Sequence, residues 1–169
     1  MKKTNIVRFT LALAVVAVGA LLVSSQSKLS AETQSRESGP TNTVEGVWAV
    51  TRHGVNGQTG QILSTFPALM TFHQDGTVSG QSHGPFPTNA YGPAEHGVWE
   101  HGRGNTFSFR LLSYSYTDAG GFSGSTVVTG TGKTTNSDNF TYEATIQVYD
   151  VNGNLLATRS GKATATRFE

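Results

Sequence analysis

Two histidines and two glutamates surround Trp99 in the segment AEHGVWEHG, residues 94–102. Histidine and glutamate are the side chains that most often carry protons in catalysis. On a β-strand, however, successive residues point to opposite faces. If Trp99 points into the core, His101 faces inward with it, whereas His96 and Glu100 point outward. These three groups are therefore not expected to form one catalytic cluster.

The histidines show no spacing that is typical of a metal site. They stand at His53, His73, His83, His96 and His101. No pair gives His-x-His on one strand face or the helical His-x-x-x-His, so a metal site would need ligands from several strands. The chain has no cysteine and no Gly-x-Ser-x-Gly nucleophile motif. GTGKTT at 130–135 lacks the spacing of a phosphate loop. We therefore expect neither a metal nor a cofactor.

Residues 1–31 are predicted to be a secretory signal peptide. A basic start is followed by an apolar or small run from Leu11 to Val23 and then by small residues, the order that such signals have. Cleavage is predicted after Ser25 or after Ala31. The run is shorter than the about 20 residues of a spanning helix. This length disfavours the alternative, in which the segment is an uncleaved membrane anchor. The short signal with its Lys-Lys pair is typical of bacteria, and the protein is expected to be secreted or periplasmic.

The remaining chain divides into a leader and one domain. Residues 32–43 contain no apolar side chain and are predicted to be flexible, and residues 44–169 are of the size of a single domain. Removal of the signal takes away four basic residues and leaves 8 basic against 11 acidic residues, a formal net charge of −3. With no cluster of Lys or Arg left, nucleic acid and anionic membranes are not expected as partners. No membrane insertion is expected after cleavage.

Alternation of apolar and polar residues from residue 44 onward predicts an all-β domain. In the clearest segment, 139–149, Phe140, Tyr142 and Ile146 share one face. Eight strands are predicted, at 45–52, 66–73, 76–82, 95–101, 106–117, 122–133, 139–149 and 155–168. Segments 53–65 and 83–94 are expected to be longer loops. The short remaining connections favour an eight-stranded antiparallel up-and-down barrel, with a two-sheet sandwich as the alternative.

The tripeptide Gly-Val-Trp occurs at 46–48 and again at 97–99. Each copy is followed by an aromatic strand, a glycine-containing turn and Ser-Gly, which indicates one four-strand unit used twice. Gly46 and Trp48 on the first strand, with Arg167 on the last, resemble the lipocalin and calycin superfamily of barrels. The resemblance implies that Trp48 closes one end and that Arg167 packs over its indole. The layout is also similar to small bacterial barrels of the allene oxide cyclase-like type, which include cofactor-free cyclases.

The candidate site is an aromatic pocket inside the barrel. It comprises Trp48, Phe72, Trp99, Phe109 and Tyr142, with His101 as the single ionisable group that is expected to face inward. Three functions are compatible with it. The first is binding of a small apolar molecule in the barrel. The second is a cofactor-independent cyclase or isomerase that shapes a flexible hydrophobic substrate, with His101 or Tyr142 as general acid or hydrogen-bond donor. The third is a structural barrel whose core is filled.

Overall fold

A computed structural model of the chain describes residues 43–83 and 92–168. The predicted signal peptide, most of the predicted leader and the middle of the 83–94 loop lie outside the described residues. Eight strands are formed: β1 (Gly46–Val55), β2 (Ile62–Phe72), β3 (Thr77–Ser82), β4 (Ala94–His101), β5 (Thr106–Tyr116), β6 (Phe122–Asn136), β7 (Asn139–Tyr149) and β8 (Leu155–Arg167). In this part of the chain no helix is long and apolar enough to cross a membrane.

The strands close into one antiparallel barrel in which each strand pairs with its neighbours in sequence. Closure is made by β1, which pairs with β2 on one side and with β8 on the other. Trp48, for example, lies opposite Met70 of β2 and opposite Arg167 of β8. The predicted up-and-down barrel is therefore confirmed, and the sandwich alternative is wrong.

The first predicted loop, 53–65, is wrong in most of its length. β1 continues to Val55 and β2 begins at Ile62, because His53 pairs with Thr65 and Gly54 with Ser64 in the hairpin. Only 56–61 connect the two strands. Polar residues and glycines interrupt the alternation here, so the sequence pattern does not reveal the pairing.

The repeated Gly-Val-Trp does not mark a duplicated four-strand unit. The two copies stand on β1 and β4, which are three strands apart and run in opposite directions along the barrel. Both tryptophans nevertheless reach the same end of the interior. There the Trp48 indole donates to the Val44 carbonyl at 2.7 Å and the Trp99 indole donates to the His73 carbonyl at 2.8 Å.

The end at which β1 begins is closed, and we call it the closed end. Val44 is 1% exposed and Trp48 is fully buried. The Arg167 guanidinium carbon lies 4.3 Å from the centre of the Trp48 ring, and its Nη atoms donate to the carbonyls of Glu45 at 2.8 Å and Thr43 at 3.1 Å. The packing of arginine on tryptophan that the resemblance implies is thus present.

The core next to the closed end is aromatic and dense. Phe72 stands at its centre, with ring centroids 5.4 Å from Phe107, 5.8 Å from Trp99 and 5.8 Å from Phe140, all edge to face. Such pairs contribute about 0.5–1.5 kcal/mol beyond the area they bury. The buried hydrophobic side chains are Val44, Trp48, Val50, Ala68, Met70, Phe72, Val78, Trp99, Phe107, Phe109, Leu111, Phe140, Tyr142, Ala163 and Ala165.

The opposite end of the barrel carries the connections 56–61, 117–121 and 150–154 and also the β3–β4 connection, most of which lies outside the described residues. We call this end the mouth. Side chains that face inward near the mouth are only partly buried, unlike those of the closed end. They include Phe66, Val128, Ala144, Ile146, Val148 and Ala157. The interior is therefore filled at one end and lined by half-exposed apolar groups at the other.

Candidate functional site

A buried ion pair lies inside the barrel between the aromatic core and the mouth. Arg52 of β1 and Glu95 of β4 form two parallel hydrogen bonds, from Nη1 to Oε1 at 2.7 Å and from Nη2 to Oε2 at 2.8 Å. Both side chains are only 10% exposed. Ser82 joins the pair, accepting from Arg52 Nη1 at 2.5 Å and donating to Glu95 Oε1 at 3.1 Å. This geometry is the strong, bidentate form of an arginine–carboxylate contact.

Strand alternation and one glycine position this pair. Arg52 lies four residues after Trp48 on β1, and Glu95 lies four residues before Trp99 on β4, so both share the inward face of a tryptophan. Gly80 of β3 lies opposite Glu95 in the sheet. A Cβ at position 80 would be 2.8 Å from Glu95 Oε2 and 3.4 Å from Arg52 Nη2. Glycine at this position therefore leaves the space that the two charged groups occupy.

The charge of Arg52 is held firmly. Burial lowers the pKa of Arg52, but the hydrogen bonds to Glu95, the charge of Glu95 and the electrostatic and hydrogen-bond interaction with Tyr142 more than offset this effect. The net pKa is therefore raised, and the guanidinium stays protonated.

Tyr142 contributes an uncharged phenol to the same region. Burial raises the pKa of Tyr142, and the neighbouring positive charge of Arg52 only partly opposes this. The hydroxyl therefore keeps its proton over the physiological range and is available as a hydrogen-bond donor.

One donor of the ion pair has no partner. Arg52 Nε is buried and makes no hydrogen bond. Among residues 43–83 and 92–168 it is the single buried side-chain nitrogen or oxygen without a hydrogen-bond partner. Leaving such a group unsatisfied costs about 1–3 kcal/mol. The free N–H of Arg52 is therefore the point inside the barrel at which a hydrogen-bond acceptor of a bound molecule would be stabilised.

The five predicted pocket residues lie together, but they form core rather than an open cavity. Their exposures are 0% for Trp48, 2% for Phe72, 5% for Trp99, 3% for Phe109 and 5% for Tyr142. Phe109 is packed edge to face on Tyr142 at 5.0 Å. Among these five, Tyr142 is the residue that interacts with the ion pair.

The expected inward placement of His101 is wrong. Its side chain is 58% exposed and its Nε2 lies 3.7 Å from a carboxylate oxygen of Glu45. The imidazole packs edge to face on Trp99 at 4.5 Å. β4 ends at His101, so this side chain lies at the rim of the closed end, past the interior. The buried inward ionisable groups are Arg52 and Glu95, which the sequence analysis missed although the same alternation identifies them. Arg159 of β8 lies opposite Ile146 and has the same parity, but its side chain is exposed.

The outer wall offers a different kind of surface. An open depression of about 840 Å³ is lined by outward-facing residues of β6–β8, among them Thr131, Glu143 and Lys162. It is open, and neither Arg52 nor Glu95 lines it. Within the described residues no group of three or more His, Cys, Asp or Glu side chains could hold a metal ion.

Comparison with known proteins adds no family. No protein-family model matches the chain, and no curated protein matches it significantly. The geometry of the barrel is therefore the basis on which a function can be assigned.

Proposed function

We propose that the protein binds a small amphipathic molecule in the mouth half of its barrel. The apolar part of the ligand lies against the partly buried wall around Phe66, Val128 and Ile146. An acceptor oxygen of the ligand, such as that of a carbonyl or hydroxyl group, meets the free N–H of Arg52. The observation that carries this proposal is the one buried donor without a partner, placed beneath a half-exposed apolar wall.

Two features support ligand binding over a filled structural barrel. A packed core buries its apolar side chains almost completely, as the closed end does, whereas Ile146 and Val148 remain partly exposed. Apolar pockets with a few fixed polar groups are the usual form of small-molecule sites. The packing of Arg167 on Trp48 at 4.3 Å also supports the likeness to lipocalin and calycin barrels. We include export to the cell exterior or periplasm in the proposal.

A cofactor-independent cyclase or isomerase is the second candidate. It is favoured by one observation, the neutral Tyr142 phenol beside the permanently charged Arg52. A phenol in this position can donate a hydrogen bond or a proton to a carbonyl or epoxide oxygen, while the wall holds a flexible chain in a reactive conformation. Tyr142 then replaces His101 as the acid of this alternative.

Native mass spectrometry of protein recovered from the exported fraction of its host tests the proposal. We expect a retained molecule in the natural chain, and its loss in Ile146→Trp, where an inward indole fills the space of the ligand. Gln147→Trp is the matched control, since it places the same indole on the opposite face of β7 at the next residue. The control is expected to retain the molecule.

A barrel that is already filled gives a different result. Ile146→Trp would then overpack the interior and lower the free energy of unfolding by about 1–3 kcal/mol, with no retained molecule in any protein. That outcome contradicts the proposal. Where a molecule is retained, it is released and identified by chromatography and NMR, because isomers have the same mass. Tyr142→Phe then separates the two candidates: a carrier holds the same compound in both proteins, and an isomerase holds an unconverted isomer in the variant.

A further inference from the structure

Exposed apolar side chains are concentrated at the mouth. They stand on the β1–β2, β5–β6 and β7–β8 hairpins, three of the four at that end, and are between 46% and 66% exposed: Ile62, Leu63, Tyr114, Tyr116, Phe122, Val151, Leu155 and Leu156. The fourth hairpin, β3–β4, lies largely outside the described residues. Near the closed end the exposed large apolar side chains of the described residues are fewer, namely Val47, Val98 and Phe168. Scattered apolar residues are ordinary on a protein surface, but a group that shares one end indicates an interaction site.

Charged residues show the reverse distribution. The connections 56–61, 117–121 and 150–154 contain two charged side chains, Asp118 and Asp150. Asp150 is engaged within its own turn, where it accepts from the backbone of Asn152 and Asn154 at 2.8 Å each. The charged residues near the closed end include Glu45, Asp75, Glu100, Arg103, Lys133 and Asp138. These three connections thus carry less solvated charge than the opposite end, and Arg159, opposite Ile146, is an exposed charged side chain of the mouth half.

The β5–β6 hairpin presents an aromatic cluster at this end. Phe122 packs edge to face on Tyr114 at 5.9 Å and on Tyr116 at 6.1 Å, and Asp118 lies in the connecting turn. Tyrosine, with an apolar ring and a polar tip, suits the boundary between water and hydrocarbon. Aromatic faces beside a carboxylate also favour a quaternary ammonium group.

We propose that the mouth docks on the surface of a zwitterionic bilayer, with the apolar hairpin tips in the headgroup region. Lipid is favoured over a second copy of the chain, because the connections 56–61, 117–121 and 150–154 of a second mouth contain no Lys or Arg to meet Asp118 and the aromatic cluster, whereas a choline headgroup supplies a cation. Anionic lipid is disfavoured by the absence of Lys and Arg from the three connections. The same surface would bring the site of the proposed function next to a source of amphipathic molecules, although docking does not depend on that function.

Flotation of the exported protein with phosphatidylcholine vesicles tests the docking surface. We expect the natural chain to float, and Leu155→Ser/Leu156→Ser to bind at least ten-fold more weakly. The matched control is Leu69→Ser/Val98→Ser, which removes two side chains of the outer wall that are 52% and 57% exposed, against 52% and 65% for the tip pair. The control is expected to bind within two-fold of the natural chain. Urea unfolding of all three proteins verifies that each is folded.

Four outcomes would overturn docking on zwitterionic lipid. The natural chain fails to float, or the wall variant loses as much binding as the tip variant. Alternatively, binding requires phosphatidylglycerol and disappears with salt, which identifies an electrostatic contact. A dimer in sedimentation equilibrium that dissociates in the tip variant would assign the surface to a second copy and equally contradict the proposal. Ile146→Trp, which blocks the ligand site, is expected to float normally, so failure of the ligand proposal and failure of docking are distinguishable.

Discussion

At the scale of single residues, the buried pair of Arg52 and Glu95 is the feature that most needs a function. Desolvation of two charges can cost more than their attraction returns, so such a pair is weak evidence of a contribution to stability. Here the pair is bidentate, joined by Ser82, and still leaves one donor unpaired. Because such a pair adds little net stability over apolar groups of the same size, its directional polar groups are consistent with a role in orienting a ligand.

Tyr142 gives this region a measurable pH dependence. Its folded-state pKa lies above the ordinary value of 10.0 because burial disfavours the phenolate. The folded state therefore holds its proton more tightly than the unfolded state, and the stability it contributes is present below pH 10 and lost as the pH rises towards the folded-state value. We expect the free energy of unfolding to fall by up to about 1.4 kcal/mol per pH unit in that window. Urea titrations between pH 8 and 11.5 measure it.

Tyr142→Phe is expected to lose this alkaline slope, since it keeps the ring and removes the ionisable group. Tyr114→Phe is the control, because Tyr114 is 50% exposed on the outer wall and its loss should leave the slope unchanged. Equal slopes in the natural chain and in Tyr142→Phe would show that the phenol is solvated.

Part of this residue-scale result could be predicted from the sequence. Parity with Trp48 and Trp99 places Arg52 and Glu95 inside, so the presence of buried charges was open to prediction. Their contact was not, because it depends on the register of β3 and β4 and on the space left by Gly80. The same limit applies to His101, whose parity is inward but which is the last residue of β4 and lies past the interior, at the rim of the closed end.

At the scale of elements, the two glycines of the repeated Gly-Val-Trp have separate structural reasons. Gly46 has a φ of +121°, which L side chains rarely adopt, and a Cβ there would lie 2.5 Å from Arg167 Nη1. At Gly97 the obstacle is backbone, since a Cβ would collide with the carbonyl group of Arg110 on β5. Each glycine of the repeat is thus required by a different close contact beside a tryptophan. The similarity of the two segments does not come from the duplicated four-strand unit that the sequence analysis predicts.

Gly97→Ala is predicted to be strongly destabilising for this reason. The β4–β5 ladder must separate locally to admit the methyl group, and overpacking of this kind costs about 1–3 kcal/mol. Gly121→Ala is the control, because its Cβ would meet Thr117 Oγ1 at an ordinary 3.4 Å. The control is expected to stay within about 0.5 kcal/mol of the natural chain. Urea unfolding of both variants measures the difference, and equal stabilities would contradict the close β4–β5 packing.

The strands themselves could be predicted well, since alternation is a local property. The predicted bounds of 139–149 agree with β7 in full, where Phe140 and Tyr142 face inward and Glu143 outward. The β1–β2 hairpin was shortened in the prediction because polar residues and glycines take the paired positions around Gly54. Pairing there is enforced by closure of the barrel, which no local pattern records.

At the scale of the whole molecule, the same eight strands form two halves of the barrel that differ in packing and in surface chemistry. The closed end has charged turns, a stacked Arg167 and Trp48, and an aromatic core. The mouth has apolar tips, partly buried lining and an ion pair with a free donor beneath it. Ligand binding and membrane docking both draw on this asymmetry, and stability should reside mainly in the closed half.

Two identical substitutions at opposite levels of the barrel test that division. Val50 is 3% exposed in the core of the closed half, whereas Val148 faces the mouth half and is partly buried. Val50→Ala is expected to lower the free energy of unfolding by about 2 kcal/mol, from about 0.8 kcal/mol for each of two lost methylene equivalents and the cavity they leave. Val148→Ala is expected to cost less than half as much, because solvent or ligand already borders its methyl groups. Equal losses in the free energy of unfolding would mean that the mouth half is packed as tightly as the core. The barrel would then have no space for a ligand, and the proposed function would be contradicted.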